Sequence, residues 1–214
     1  MSAEETRHRL LETALELIWQ SNYNSVGVNE ICKQAGVTKG GFYHHFESKA
    51  HLFCAASEHY WENIKRDLDT VLSPVNTPLE QLENLITFIF HSKFHGRACV
   101  RGSPFFSAGL QTGCEESMIN ESLHKMSQNS VKYNLALVRT LHAAGYLEGE
   151  VDAEQVARLL SQYILGITGF ARVNGCACME TVHKDIAEAF YRLTGLKREY
   201  WFTTPPTWQE PAKS

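Results

Sequence analysis

The sequence predicts an all-α protein, with a three-helix helix-turn-helix lobe at the N-terminus and a larger helical bundle after it. Three observations carry this. Apolar residues recur at three- and four-residue spacing through most of the chain, no convincing strand pattern appears, and two short helical runs joined by the turn "GVT" follow a longer one near the start. At 214 residues, 43% hydrophobic and 21% charged, the chain is long enough for a substantial core and two lobes.

Over residues 6–20, Leu10, Leu11, Ala14, Leu17 and Ile18 share one helical face and predict the first helix. Val28, Ile31, Cys32 and Ala35 predict a second of about two turns, and Gly36 follows where a left-handed C-terminal cap favours glycine. Thr38 is placed to cap a third helix, Lys39 to Phe46, and Ser48 to cap a fourth that runs through Phe53, Tyr60, Trp61 and Leu68 to about Leu72. "SPVNTP" at 73–78 holds two of the six prolines and interrupts the pattern between lobes. Helical spacing resumes at Leu79, Leu82, Ile86 and Ile89, at Met126, Tyr133, Leu137 and Leu141, from Val156 to Phe170, and at Ile186, Ala189, Phe190 and Leu193. The proline-rich end, "LKREYWFTTPPTWQEPAKS", cannot be a long helix, and its four aromatics predict docking onto the body. The resulting domains are 1–50, 51–195 and a tail, 196–214.

The net charge of −4 points away from nucleic acid, but the average conceals a local exception. Residues 33–51 hold Lys33, Lys39 and Lys49 against Glu47, with His44, His45 and His51 in addition; this stretch is +2 and the remainder −6. No apolar run of roughly eighteen residues and no secretory signal is present, so a cytoplasmic protein without membrane contact is expected. The six scattered cysteines then read as reduced thiols. No Gly-x-Ser-x-Gly, Walker, Gly-x-Gly-x-x-Gly or His-Glu-x-x-His motif occurs, and neither a cofactor nor a resident metal is expected.

"VNEICKQAGVTKGGFYHHFESKAHLF", residues 28–53, resembles the DNA-binding signature of the TetR family of bacterial transcriptional regulators: a helix ending in Ala-Gly-Val, then Ser/Thr-Lys-Gly, an apolar-Tyr pair, Phe and Lys. The likeness covers roughly the first sixty residues; beyond them only the helical layout and length compare. It implies a homodimeric regulator, a repressor, bound to a palindromic double-stranded DNA operator and released by a small-molecule effector; the cysteines, read by themselves, add thiol oxidation as a second route of release. A thiol-dependent enzyme and a helical protein-binding adaptor are the alternatives.

The residues carry a physical reading of their own. Thr38 and Lys39 lie at a helix start, where amides and partial positive charge suit a phosphate. Gly40 and Gly41 each cost a helix about 1 kcal/mol relative to alanine, tolerable where bare backbone must approach the sugar-phosphate edge; looseness at a helix start is the plainer alternative. Gly41 stands where the family commonly has a small polar residue. Phe42 and Phe46, four apart, belong to the core with Val28, Ile31 and Val37, which turns Tyr43 and His44 towards DNA. A metal or pH role for His44 or His45 finds no partner cluster nearby in sequence. Lys49 resembles the family's phosphate-contacting lysine.

By the same resemblance the second lobe dimerises through its last two long helices and holds an effector pocket among the middle ones. Phe88, Phe105, Tyr133 and Phe170 are candidate pocket aromatics, with His91 and Gln111 as polar groups, although such stripes are also ordinary core. Cys99, between Arg97 and Arg101 in "GRACVRGSPFF", is the candidate redox sensor because nearby guanidiniums favour thiolate; an inert buried cysteine is the alternative. Cys176 and Cys178 with His183 make an incomplete soft-metal site. Gly166 and Gly169 form a small-residue strip that, with Tyr163, Ile167 and Phe190, predicts the subunit contact; lining a pocket or permitting a bend would also explain the glycines.

Overall fold

The computed structural model describes residues 2–20, 23–95, 99–100, 117–175 and 178–210, apart from the side chains at 19, 20, 95, 99, 100 and 172. Its helices are α1 (Ala3–Gln20), α2 (Val28–Ala35), α3 (Lys39–His45), α4 (Lys49–Val71), α5 (Pro78–Lys93), α6 (Ser117–Ala143), α7 (Ala153–Asn174) and α8 (Met179–Thr194). They fall into two units, the first containing residues 2–64 and 117–127, the second the remaining described residues. The first unit thus extends to Ile64, where the sequence division fell at residue 50.

In the first unit, α1 begins three residues before the apolar pattern does. Ser2 Oγ accepts from the Glu5 amide at 3.1 Å while Glu5 Oε2 accepts from the Ser2 amide at 2.7 Å, so two otherwise unpaired donors are satisfied reciprocally. Gly36, at φ 62°, ends α2 in the left-handed region, which lets the Val37 amide reach the Cys32 carbonyl at 2.9 Å. The chain reverses there and enters α3. Leu10, Leu11 and Ala14 of α1, Ile31 and Ala35 of α2, Phe42 of α3 and Leu52 and Phe53 of α4 form one core, joined by Ile119, Leu123 and Met126 of α6. Burying an aromatic such as Phe42 contributes about 1.5–3 kcal/mol, enough to fix how α3 is rotated.

The second unit is built on α5. Thr77 and Glu80 form a capping box, with Pro78 at the first helical position, and Asp152 caps α7 by accepting from the Glu154 and Gln155 amides. Between the buried faces of α5 and α8, the Tyr191 hydroxyl donates to Glu83 Oε1 at 2.5 Å. Burial pushes the Glu83 carboxyl above the usual carboxylate range, only partly opposed by that hydrogen bond.

The tail docks as its aromatics predict. Asn84, 1% exposed, accepts from the Thr207 and Trp208 amides at 2.7 and 2.8 Å and donates to Thr207 Oγ1 at 2.9 Å. Trp208 lies edge-on to Phe88, and Trp201 packs on Tyr191. One element departs from the all-helical expectation: Phe94–His95 pairs antiparallel with Cys99–Val100. Two residues a side are too few to show the alternating pattern by which strands are recognised.

Candidate nucleic-acid interface

Thr38 holds an extended conformation and its Oγ1 accepts the Gly41 amide at 3.1 Å, which starts α3 at Lys39. Phe42 and Phe46 are buried at 0% and 2%. With that face committed to the core, the opposite face carries Thr38, Lys39, Gly40, Tyr43 and His44, all exposed, with Gly41 half-buried. Tyr43 is 56% exposed, and its ring stands edge-on to Phe42. A methyl at Gly41 would lie 2.9 Å from Val37 Cγ1, whereas one at Gly40 would approach nothing closer than Thr38 Oγ1 at 3.9 Å. A side chain at Gly41 would therefore have to displace Val37, whereas Gly40 has room for one. His44 and His45 stack edge to face at 5.0 Å, and among the described residues neither joins a group of three metal-ligating side chains.

Lys49 differs from its expected presentation. Its ammonium donates to the Tyr23 carbonyl at 3.0 Å and lies 4.0 Å from the Tyr23 ring centre, half-buried between α4 and the segment after α1. A lysine held this way ties α4 to the Tyr23 segment, with one of its three N–H donors committed to that carbonyl. Ser48 does cap α4, accepting the His51 amide at 3.0 Å.

Among the described candidate pocket residues, Phe88 and His91 meet at Trp208. Phe88 is buried against Trp208, and His91 lies beside Trp208 with Glu210 at 3.6 Å, so the tail covers both. The Tyr133 hydroxyl donates to Asp69, and burial, with the carboxylate beside it, pushes its pKa up to about 12. Phe170 is 68% exposed, on the outer side of α7. Phe105 and Gln111 lie outside the described residues. A separate cleft of about 320 Å³, lined by Leu72, Pro74, Pro78, Gln81, Leu137 and Thr140, opens in the second unit.

The Cys99 backbone pairs with His95, but its side chain, Arg97 and Arg101 lie outside the described residues, as does Cys176. Among the described thiols, Cys32 is buried and pushed up by desolvation. Cys178 is exposed at the start of α8, and its hydrogen bond to the Thr181 side chain holds its pKa below the usual thiol range.

Gly166 and Gly169 lie exposed on α7, with nothing within 4 Å of an added methyl. Around them Leu159, Leu165, Phe170 and Val173 are exposed at 38%, 37%, 68% and 85%, an uncovered apolar face at helical spacing. Ile167 is half-buried, and Tyr163 is tied to its own chain, donating to the Asp185 carbonyl at 3.2 Å. Phe190 is 0% exposed inside its own chain, which removes it from the expected subunit contact. It packs beside Tyr163 on the inner side of α8.

Residues 10–56 match the model of bacterial regulatory proteins of the tetR family, a span that includes α2, α3 and their turn. The HTH-type transcriptional regulator AcrR of Shigella flexneri is 35% identical over 91 residues, only 42% of either chain. The transcriptional regulator AcuR of Cereibacter sphaeroides is 30% identical over 149 residues, 69% of this chain and 68% of its own. The crystal structure of regulatory protein TetR from Rhodobacter sphaeroides has a TM-score of 0.71 at 27% identity, covering 88% of this chain and 96% of that one. A capped α3 with a buried phenylalanine face and an exposed tyrosine and histidine, on a chain this similar to AcuR through more than its first lobe, places the protein in the tetR family of bacterial transcriptional regulators.

Proposed function

We propose that the protein acts as a homodimeric repressor in the cytoplasm, each protomer setting α3 into the major groove of one half of a palindromic operator. Regulators of this family bind DNA and small molecules, act as dimers and are not enzymes, so the catalytic and adaptor alternatives are not favoured. Among the described residues no helix is long and apolar enough to cross a membrane. The observation that carries the proposal is the division of α3 into a buried Phe42 face and an exposed face of Thr38, Lys39, Gly40, Tyr43 and His44. Lys39 supplies phosphate attraction; Tyr43 and His44 supply contacts that depend on sequence. Lys49 supports this face by holding α4 to the Tyr23 segment.

One short recognition helix reaches too few base edges to select a site alone, and a two-fold pair doubles them. The exposed Leu165, Phe170 and Val173 around Gly166 and Gly169 support pairing through α7. An effector preferring one separation of the two DNA-binding heads would shift the dimer away from DNA by its differential affinity. The cleft of about 320 Å³ has the size of a small-molecule site, and a reactive thiol is the second route to release.

Selection of bound duplexes from a random pool tests this. A palindromic site should emerge; Tyr43→Ala should lose preference for it, and Lys39→Ala should weaken binding to all sequences and reduce the salt slope by about one. Wild-type behaviour of both variants across a salt titration would overturn the proposed face.

A further inference from the structure

His8 and Glu12 stand one turn apart on α1, and His59 meets them from α4. One nitrogen from each imidazole and one oxygen of the carboxylate all lie within 4.8 Å of one another. His59 Nε2 is 2.7 Å from Glu12 Oε1, and the His8 ring stands edge-on to the His59 ring at 5.4 Å. The hydrogen bond between Glu12 and His59 accounts for two of the three groups and leaves the second imidazole unexplained.

We propose that His8, Glu12 and His59 bind one divalent transition-metal ion of the zinc class, joining α1 to α4 within the first unit. Two imidazoles and a carboxylate suit borderline ions such as Zn²⁺, Co²⁺ or Ni²⁺, whereas Mg²⁺ and Ca²⁺ take oxygen ligands. Nitrogen and oxygen ligands about 2.0–2.1 Å from a tetrahedral ion lie about 3.3 Å from each other. The observed atoms bracket that spacing, and small side-chain rotations bring them to it. Two of the donors stand four residues apart on α1, which puts them on the same side of one helix facing His59. On binding, the ion takes the place of the proton between His59 and Glu12, and water completes the fourth position. Asn63 Nδ2, 3.5 Å from His59 Nε2, is at the outer limit of a hydrogen bond and is readily displaced. The sequence expectation of no metal is revised by this proposal, which is independent of the DNA-binding reading.

Metal-free full-length protein, folded and with its accessible cysteines alkylated to remove sulfur ligands, is titrated with Zn²⁺ against a chromophoric chelator; Cys32, buried in the core, stays unmodified. One ion per chain should bind, and His8→Gln, Glu12→Gln and His59→Gln should each weaken it at least about tenfold. His142→Gln, at an exposed histidine on α6, should leave it unchanged. The alkylated protein should bind Co²⁺ with a spectrum free of sulfur-to-metal charge transfer. His8 and Glu12 are exposed, so their variants keep the fold, which circular dichroism checks. Loss of the ion on alkylation, or equal affinity in the wild type and all three site variants, would reveal thiol binding or an adventitious ion only and overturn the proposal.

Discussion

Replacing Gly40 by alanine separates the stability of α3 from its fit to DNA. Gly40 lies outside the left-handed region, is exposed, and has room for a methyl, its nearest neighbour being Thr38 Oγ1 at 3.9 Å. Alanine should therefore gain about 0.5–1 kcal/mol from helix propensity, or a melting temperature about 1–4 °C higher for a chain of this size. At Gly41 the added methyl meets Val37 Cγ1 at 2.9 Å, and valine is stiff at χ1. Strain of about 1 kcal/mol or more should cancel the gain there. Binding should move the other way. If the backbone of Gly40 meets a phosphate, the methyl intrudes, and operator affinity should fall at least about tenfold, equivalent to about 1.4 kcal/mol. Chemical denaturation and fluorescence anisotropy with the selected operator measure both effects on the same samples. A Gly40→Ala protein less stable than wild type would refute the packing argument. One that is more stable and binds equally well would show that the glycine is not there for DNA.

Lys49→Met should lower stability by about 1–3 kcal/mol through loss of the Tyr23 carbonyl bond and ring contact, while the salt slope of DNA binding stays at its wild-type value; a flattened slope with unchanged melting would restore the phosphate role. Glu83 has a folded-state pKa above its unfolded value of about 4.3, so the folded protein holds that proton longer, and the cost of ionising it accumulates as pH rises from the unfolded value through the folded one. Glu83→Gln, which can still accept from Tyr191, should be the more stable protein at about pH 8 and lose that advantage near about pH 4; parallel stability curves for the two would contradict the assignment. Gly166→Glu places a carboxylate among Leu165, Phe170 and Val173, and if that face pairs the penalty is several kcal/mol. Sedimentation should find helical monomers, and a helical dimer would remove this face from the interface.

The DNA-binding lobe was legible because its determinants are local. Thr38 and Ser48 cap helices three residues ahead of the amides they accept, and Phe42 and Phe46 share a face by spacing alone. Contacts distant in sequence were not legible. Nothing near Lys49 announces that its partner is a carbonyl 26 residues earlier, and Glu12 and His59 are 47 residues apart. Phe170 and Phe190 show the limit of periodicity. Each lies on an apolar helical face, but spacing cannot tell an inner face from an outer one, and the structure puts Phe190 inside and Phe170 out.

The grip of Asn84 on the tail has a consequence at the level of the gene. A premature stop codon ahead of Thr207 removes the Thr207 and Trp208 partners of that interior amide and the Trp208 ring from Phe88, so loss of a surface tail acts as a core lesion. Leaving such a group buried and unpaired costs about 1–3 kcal/mol. Asn84 and Thr207 are 123 residues apart, and because two of the three bonds come from the backbone amides of 207 and 208, the grip depends on where the tail runs more than on which side chain stands at 207.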